Sequence, residues 1–161
     1  MRTQISSFAL AVFMIAAASY AWAASPVVLK LDAAIVSKAA DGTEKLTPLE
    51  SALVKPGETI RYEIVATNQS DQPVHNLVPV EKISASTAYQ AGSATPVSAG
   101  VQFSIDGGKT WSAKPMVTVH TPDGDVTKPA DPSTYTDIRW ASGTSLGPNE
   151  TAKYTYEVIV R

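Results

Sequence analysis

The chain has 161 residues, no cysteine, two histidines and a formal net charge of −2. The lack of cysteine excludes disulfides, cysteine nucleophiles, thiolate metal sites and lipid attachment at a cysteine. Two histidines leave little material for a metalloenzyme centre, and the near balance of charge gives no electrostatic reason to expect nucleic acid or an anionic membrane as a partner. We therefore predict no cofactor and no resident metal.

The first 23 residues have the pattern of a secretory signal peptide. Arg2 supplies a positive charge, and an apolar run follows it. Ala21 and Ala23 then place small residues at the −3 and −1 positions of an A-x-A cleavage site. The alternative is a membrane anchor, but the apolar run is short against the roughly 20 residues that span a bilayer. We predict residues 1–23 as a cleaved signal peptide and residues 24–161 as one domain, periplasmic or extracellular, with no membrane span.

The mature chain alternates apolar and polar residues with a period of two, which is typical of β-strands. The longest alternating runs are Val27–Ala33, Thr59–Asn68 and Lys153–Arg161. Shorter candidates, rich in β-branched and aromatic residues, are Ala52–Val54, Val74–Val78, Val101–Ile105, Met116–His120 and Thr134–Trp140. All 11 prolines and several turn sequences lie in this part of the chain and leave little room for long helices. The pattern predicts an all-β fold, an antiparallel immunoglobulin-like β-sandwich of about seven to nine strands.

Two segments carry weaker signals. Ser84–Gly100 is rich in alanine, serine and threonine, and it is either a loop or a stretch containing one irregular strand. Thr121–Pro132 has the turn residues of a solvated loop.

A short motif lies in the middle of the chain. Its residues Ser104, Asp106, Gly108, Thr110 and Trp111 fit the pattern S-x-D-x-G-x-T-W. This resembles an Asp-box, a β-hairpin motif of sialidase propellers and many other secreted proteins. A turn aspartate can accept backbone N–H bonds, glycine permits the reversal, and tryptophan can pack the hairpin onto its sheet. Glycoside hydrolysis would need several such repeats and an arginine cluster, so we predict a structural role.

Few other residues suggest a catalytic, cross-linking or ligand-binding role. His75 and His120 fall in or beside predicted strands, and no G-x-S-x-G nucleophile elbow accompanies them, so we predict no enzyme. An isopeptide bond between Lys30 and Asn149 is conceivable, although nothing local marks the pair. The aromatic residues that could line a binding face are better explained as core between two sheets. They are Tyr135, Trp140, Tyr154 and Tyr156.

Acidic residues concentrate in one region of the chain. Oxygen-rich loops of this kind can hold calcium in extracellular modules, but the spacing here matches no EF-hand. Whether the loop binds calcium stays open. The residues are Asp123, Asp125, Asp131 and Asp137.

Several pieces taken in order resemble a known family. They are Pro56–Glu58, Ile60–Asn68, Asn76–Val78, Phe103–Gly108, Ile138–Trp140 and Leu146–Glu150. Together they resemble the conserved-repeat domain of bacterial and archaeal surface proteins, number eleven among the domains of unknown function. The resemblance spans roughly Val54–Arg161 and implies an immunoglobulin-like sandwich with no established catalytic residues. This chain has one copy where the family often has several, and Asn149 stands where the family usually has glycine.

We therefore predict a secreted or periplasmic, non-enzymatic module with a structural or protein-interaction role in the cell envelope. A partner protein would engage it by strand addition at an open sheet edge, with Val27–Val36 as a candidate exchangeable strand. The alternatives are a small-ligand or carbohydrate-binding module, suggested by the aromatic residues and the Asp123–Asp137 loop, and an enzyme of unrecognised type.

Overall fold

The structure is a computed structural model that describes residues 26–161. The predicted signal peptide, with Ala21 and Ala23, lies outside these residues. The described chain consists of strands and three short 3-10 helices, Leu49–Ser51, Val97–Ala99 and Pro132–Thr134. The strands are β1 (Val27–Lys38), β2 (Glu44–Pro48), β3 (Thr59–Asn68), β4 (Val74–Leu77), β5 (Val80–Lys82), β6 (Thr87–Tyr89), β7 (Val101–Ser104), β8 (Met116–Thr121), β9 (Gly124–Pro129), β10 (Asp137–Trp140), β11 (Thr144–Leu146) and β12 (Thr151–Val160). Across residues 26–161, no helix is long and apolar enough to cross a membrane.

The first layer is a five-stranded antiparallel sheet in the order β2-β1-β3-β12-β6. The alternation predicted for β3 is confirmed, because Ile60, Ile64 and Ala66 are buried on one face. Arg61 and Glu63 lie on the other face, where they form ion pairs with residues of other strands of the sheet. The sheet therefore has one apolar inner face and one charged outer face.

The second layer is shorter and interrupted. A three-stranded sheet has the order β5-β10-β7, and a two-stranded sheet pairs β4 with β11. These two pieces continue one another, because Trp140 N donates to Pro79 O at 3.1 Å in the gap between β4 and β5. The second layer thus has three strands, two of them broken, against five in the first layer. Ten of the twelve described strands lie in these two layers, which form the all-β sandwich that the sequence predicts.

Aromatic residues fill the space between the layers. Trp140 and Tyr154 are almost fully buried, and their ring centroids are 5.3 Å apart. Tyr156 is equally buried and stacks on Tyr62 at 5.1 Å. Tyr135 is half-buried and stacks on Phe103. The prediction that these aromatic residues form the core is confirmed.

A β-hairpin stands apart from the two layers. We call residues 116–129, which comprise β8, β9 and their turn, the hairpin arm. Its strands pair with each other from Met116–Pro129 to Thr121–Gly124 and with no other described strand. The prediction of a solvated loop over Thr121–Pro132 is therefore wrong for Gly124–Pro129. Every residue of β9 is exposed, so the segment has no apolar alternation from which it could be predicted.

The secondary structure of three shorter segments also became clear only from the structure. Ala52–Val54 is not a strand, although Val54 packs against the core from a coil. The strand predicted from Thr134 begins only at Asp137, because Pro132 starts a 3-10 turn. Within Ser84–Gly100, the alternative of one irregular strand is confirmed, because β6 pairs with β12.

Candidate functional site

The Asp-box-like turn is a closed hydrogen-bond network. The Oδ1 atom of Asp106 accepts from Ser104 Oγ at 2.7 Å, from Lys109 N at 3.0 Å and from Thr110 N at 2.9 Å. Its Oδ2 atom accepts from Thr110 Oγ1 at 2.6 Å. These bonds, with that from the Thr110 hydroxyl foremost, hold the pKa of Asp106 well below its usual range. The carboxylate is already occupied by donors of its own turn.

The same turn is fixed to the outer face of the second layer. Trp111 Nε1 donates to Gly108 O at 3.0 Å, and Gly108 adopts a positive φ of 83°. The guanidinium of Arg139 lies 4.5 Å from the centroid of the Trp111 ring and donates twice to Gln102 Oε1. The structure thus brings all five predicted motif residues into one turn, in which each has an intramolecular role.

The two histidines lie on different elements. His75, on β4, has its Nδ1 atom 3.1 Å from Ser145 Oγ. His120, on the hairpin arm, pairs with Asp125. Neither histidine has both a serine and a carboxylate as hydrogen-bond partners in the described chain, so neither has the arrangement of a catalytic triad.

The acidic residues for which the sequence leaves calcium binding open have separate roles, and Asp123 is exposed in the turn between β8 and β9. Asp125 pairs with His120, Asp131 accepts from Ser133 N at the start of a 3-10 turn, and Asp137 is buried on β10. Among residues 26–161, no three side chains of metal-binding type are grouped so as to hold an ion.

Lys30 and Asn149, for which an isopeptide bond is conceivable from the sequence, have other surroundings. Lys30 Nζ lies 2.9 Å from Asp32 Oδ2, and the sheet register places Lys30 across β3 from Lys153. Asn149 occupies the turn before β12 with a φ of 59°, the left-handed conformation that asparagine tolerates.

An unpaired strand edge distinguishes β1 from its neighbours. β2 covers β1 from Ala34 to Lys38, and β3 pairs with it along the opposite side. Between Val28 and Ala33, β1 has a paired strand on the β3 side only, among the strands that the structure describes. We call Val28–Ala33 the open edge. Its outward N–H and C=O groups form a template for another strand.

The inner face of the open edge is apolar and poorly covered. Leu29 lies opposite Ala66, and Leu31 lies opposite Ile64, so both leucines point to the core side of the sheet. Leu29 is nevertheless 54% exposed and Leu31 is 47% exposed, while their two partners are buried. The cause is the shorter second layer, which covers β3 and β12 but leaves this part of β1 uncovered.

A groove runs beside the open edge. It has a volume of about 510 Å³ and is bordered by β1, by β2 with the 3-10 turn that follows it, and by the outer face of β3. Leu31, Ala33, Leu46 and Leu49 supply its apolar lining. Charged residues such as Arg61, which pairs with Glu44 and Glu157, lie around it. The groove can receive side chains of a strand that is added at the edge.

A second, smaller concavity lies at the other side of the sandwich. Its volume is about 260 Å³, and the rings of Tyr89, Phe103 and Tyr135 form part of its wall. The centroid of Phe103 lies 4.7 Å from that of Tyr89 and 4.6 Å from that of Tyr135. Sequence analysis singled out Tyr135 but not this grouping, because Tyr89 belongs to the weakly predicted Ser84–Gly100 segment.

Val27–Val36, the strand that the sequence suggested could be exchanged, is an integral part of the first sheet. It pairs with β3 along its whole length, from Val27–Asn68 to Val36–Thr59. In this arrangement β1 offers an edge to an incoming strand rather than leaving its own sheet.

No family model, no curated protein and no solved structure matches this chain. The resemblance to the conserved-repeat domain stays a prediction.

Proposed function

We propose that this chain is a secreted or periplasmic, non-enzymatic module of the cell envelope that binds a protein partner. The partner adds a β-strand to the open edge of β1. The observation that carries the proposal is the combination of unpaired backbone with two half-exposed leucines, Leu29 and Leu31, on the core side of the same strand. An edge of this kind invites pairing with another chain, and the two charged residues that it carries, Lys30 and Asp32, pair with each other on the outer face.

The proposed location and family rest on the sequence. The signal-peptide pattern of residues 1–23 supports export, and the family resemblance supports an immunoglobulin-like sandwich of the envelope. The lack of cysteine means that packing and hydrogen bonds stabilise the domain in an oxidising compartment.

The open edge offers two sources of binding free energy. Full burial of two half-exposed leucines contributes about 2–3 kcal/mol in total. Each main-chain hydrogen bond to an added strand contributes about 0.5–1.5 kcal/mol net. Part of this gain offsets the entropy lost on association, so the affinity depends on how many residues of the edge are paired.

Site-specific photo-cross-linking in intact cells tests this proposal. A photoreactive residue replaces Leu31 in one variant and Ile159 in a control. Ile159 is also a partly exposed apolar residue, but its strand is paired on both sides. We expect a discrete protein adduct from position 31 and none from position 159. Equal adducts from both positions, or none from position 31, would overturn the proposal.

A small-ligand module is the second candidate, and the aromatic concavity favours it. Tyr89, Phe103 and Tyr135 offer stacked rings beside open space, the usual form of an apolar binding site. Calorimetric titration with soluble sugars and aromatic compounds, compared between wild type and Tyr135→Ala, tests this function. Binding that Tyr135→Ala abolishes would establish it, and the absence of heat from every compound would remove it.

A further inference from the structure

The hairpin arm has the form of a strand donor. β8 and β9 pair only with each other among the described strands, and all of β9 is exposed. An isolated two-stranded hairpin is only marginally stable in water. An arm of this kind gains stability when a further strand pairs with it.

Of the two strands of the arm, β8 has the edge better suited to pairing. β9 ends in Pro129, which has no N–H to donate to a neighbouring strand. β8, Met116–Thr121, contains no proline, so all of its residues carry both a donor and an acceptor. Any sheet that grows from the arm should therefore grow along β8.

The side chains of β8 match those of the open edge. Val117 and Val119 share one face of the arm, and Val119 is paired with Val126 on that face. The backbone groups of Leu29 and Leu31 point to the open edge, whereas those of Val117 and Val119 point to β9, so these residues can lie opposite one another only in a parallel ladder. A parallel alignment with Val117 opposite Leu29 also places Val119 opposite Leu31. This register sets two valines beside two leucines on one face, and the charged residues of the open edge fall on the other face. β8 and the open edge are both six residues long.

We propose that the strand received at the open edge is β8 of a second copy of this chain. This inference rests on the proposed function and names the partner. The donor arm and the acceptor edge are different surfaces of one molecule, so the contact is heterologous. Each copy that accepts an arm still presents its own arm, and the copies therefore assemble head to tail.

Engineered cysteines test the contact directly, because the mature chain has none of its own. One preparation carries Leu31→Cys, and a second, with a mass tag, carries Val119→Cys. Mixing and mild oxidation should give a disulfide-linked dimer of tagged and untagged chains. Thr118→Cys is the matched control, since its side chain lies one residue away on the opposite face of β8.

The outcomes separate this inference from the proposed function. A mixed dimer from position 119 and little from position 118 supports the second copy as partner. Equal dimers from both positions, or none from position 119, overturn it. In a further outcome, the disulfide fails to form at position 119 while the photoreactive residue at position 31 still cross-links to a different protein. That result overturns the second copy as partner, and the open edge keeps its proposed role. If position 31 also gives no adduct, both proposals fail.

Light scattering gives a second measurement, which requires no engineered disulfide. Wild type should form multimers whose mass rises with concentration, and Val119→Lys should lose them. Thr127→Lys places the same charge on the opposite face of the arm and should keep them. A wild type that stays monomeric, or equal loss in both variants, would overturn the inference. Circular dichroism of each variant checks that the sandwich remains folded.

Discussion

Leu31 lies directly opposite Ile64 in the register of β1 and β3, yet 47% of Leu31 is exposed and only 3% of Ile64. Both side chains point to the same face of the sheet. The difference arises in the other layer, whose three strands cover β3 and leave the open edge uncovered. One strand of the sandwich therefore combines an apolar inner face with an unpaired backbone.

This relationship predicts unequal costs of truncation. Ile64→Ala should lower the free energy of unfolding by about 2–5 kcal/mol, because it leaves a cavity in the core. Leu31→Ala should lower it by about 1 kcal/mol or less in the monomer, because the side chain is already half in water. Urea denaturation of both variants at low protein concentration measures the difference. Equal costs would show that the inner face of β1 is covered within one chain.

Asn68 should be a stability residue of the turns at one end of the sandwich. Its buried amide nitrogen donates to the carbonyl oxygens of Gln72, Leu146 and Gly147, at 2.8, 3.1 and 3.0 Å. Asn68→Ala should lower the free energy of unfolding by about 3 kcal/mol, because buried carbonyl groups lose their donor. Ser70→Ala, which removes one hydroxyl from the same cluster, should cost about 1 kcal/mol. Denaturant titration would contradict this account if the two costs were equal.

Asp106 should stabilise the fold at neutral pH and lose that effect in acid. Its pKa is lowered from 3.8 by hydrogen bonds to the charged form, first of all from Thr110, so the folded state binds its proton less tightly than the unfolded state. Stability from this group is present above pH 3.8 and is lost as the pH falls below it. Asp106→Asn should lower the melting temperature at pH 7, and the gap from wild type should narrow in acid. A gap that is constant with pH would contradict the assignment.

Glu81 should have the opposite effect on stability. It lies on β5 opposite Ile138, which is fully buried, so its carboxyl points between the layers. Burial raises its pKa above 4.5, which means that the folded state binds the proton more tightly than the unfolded state. Its contribution to stability therefore falls as the pH rises through the range just above 4.5.

Glu81→Gln should remove this loss of stability at higher pH. The variant should melt higher than wild type at pH 7 and about equally at pH values well below 4.5. Glu50→Gln, in an exposed 3-10 turn, is the control and should show no such pH-dependent gain. Thermal melts across the acid range measure both variants. A Glu81→Gln variant that is less stable than wild type at pH 7 would contradict the placement of this carboxyl.

Alternation along single strands was enough to predict the inner face of β3 and β12. Ile60, Ile64, Tyr154 and Tyr156 are buried because they occupy every second position of strands that are covered on one face. The same rule assigns Leu29 and Leu31 to the inner face, and the register confirms their direction. Their exposure depends on how far the second layer extends, and local sequence carries no signal of that extent.

For a related reason, the sequence predicts only one of the two strands of the hairpin arm. β8 alternates valine with polar residues, and the sequence predicts it as a strand. β9 has a single large apolar residue, Val126, and it is exposed along its length, so composition alone makes it resemble a loop. Its strand conformation comes from pairing with β8, through a turn that Gly124 accommodates with a φ of 121°.

Amide hydrogen exchange of the dilute monomer tests the open edge most directly. The account predicts that alternate amides within Val28–Asp32, those that point away from β3, exchange rapidly, while the intervening amides and that of Ile64 are protected. Uniform protection throughout Val28–Asp32 would contradict the account, because the edge would already be paired within one chain and could not accept a strand from a partner.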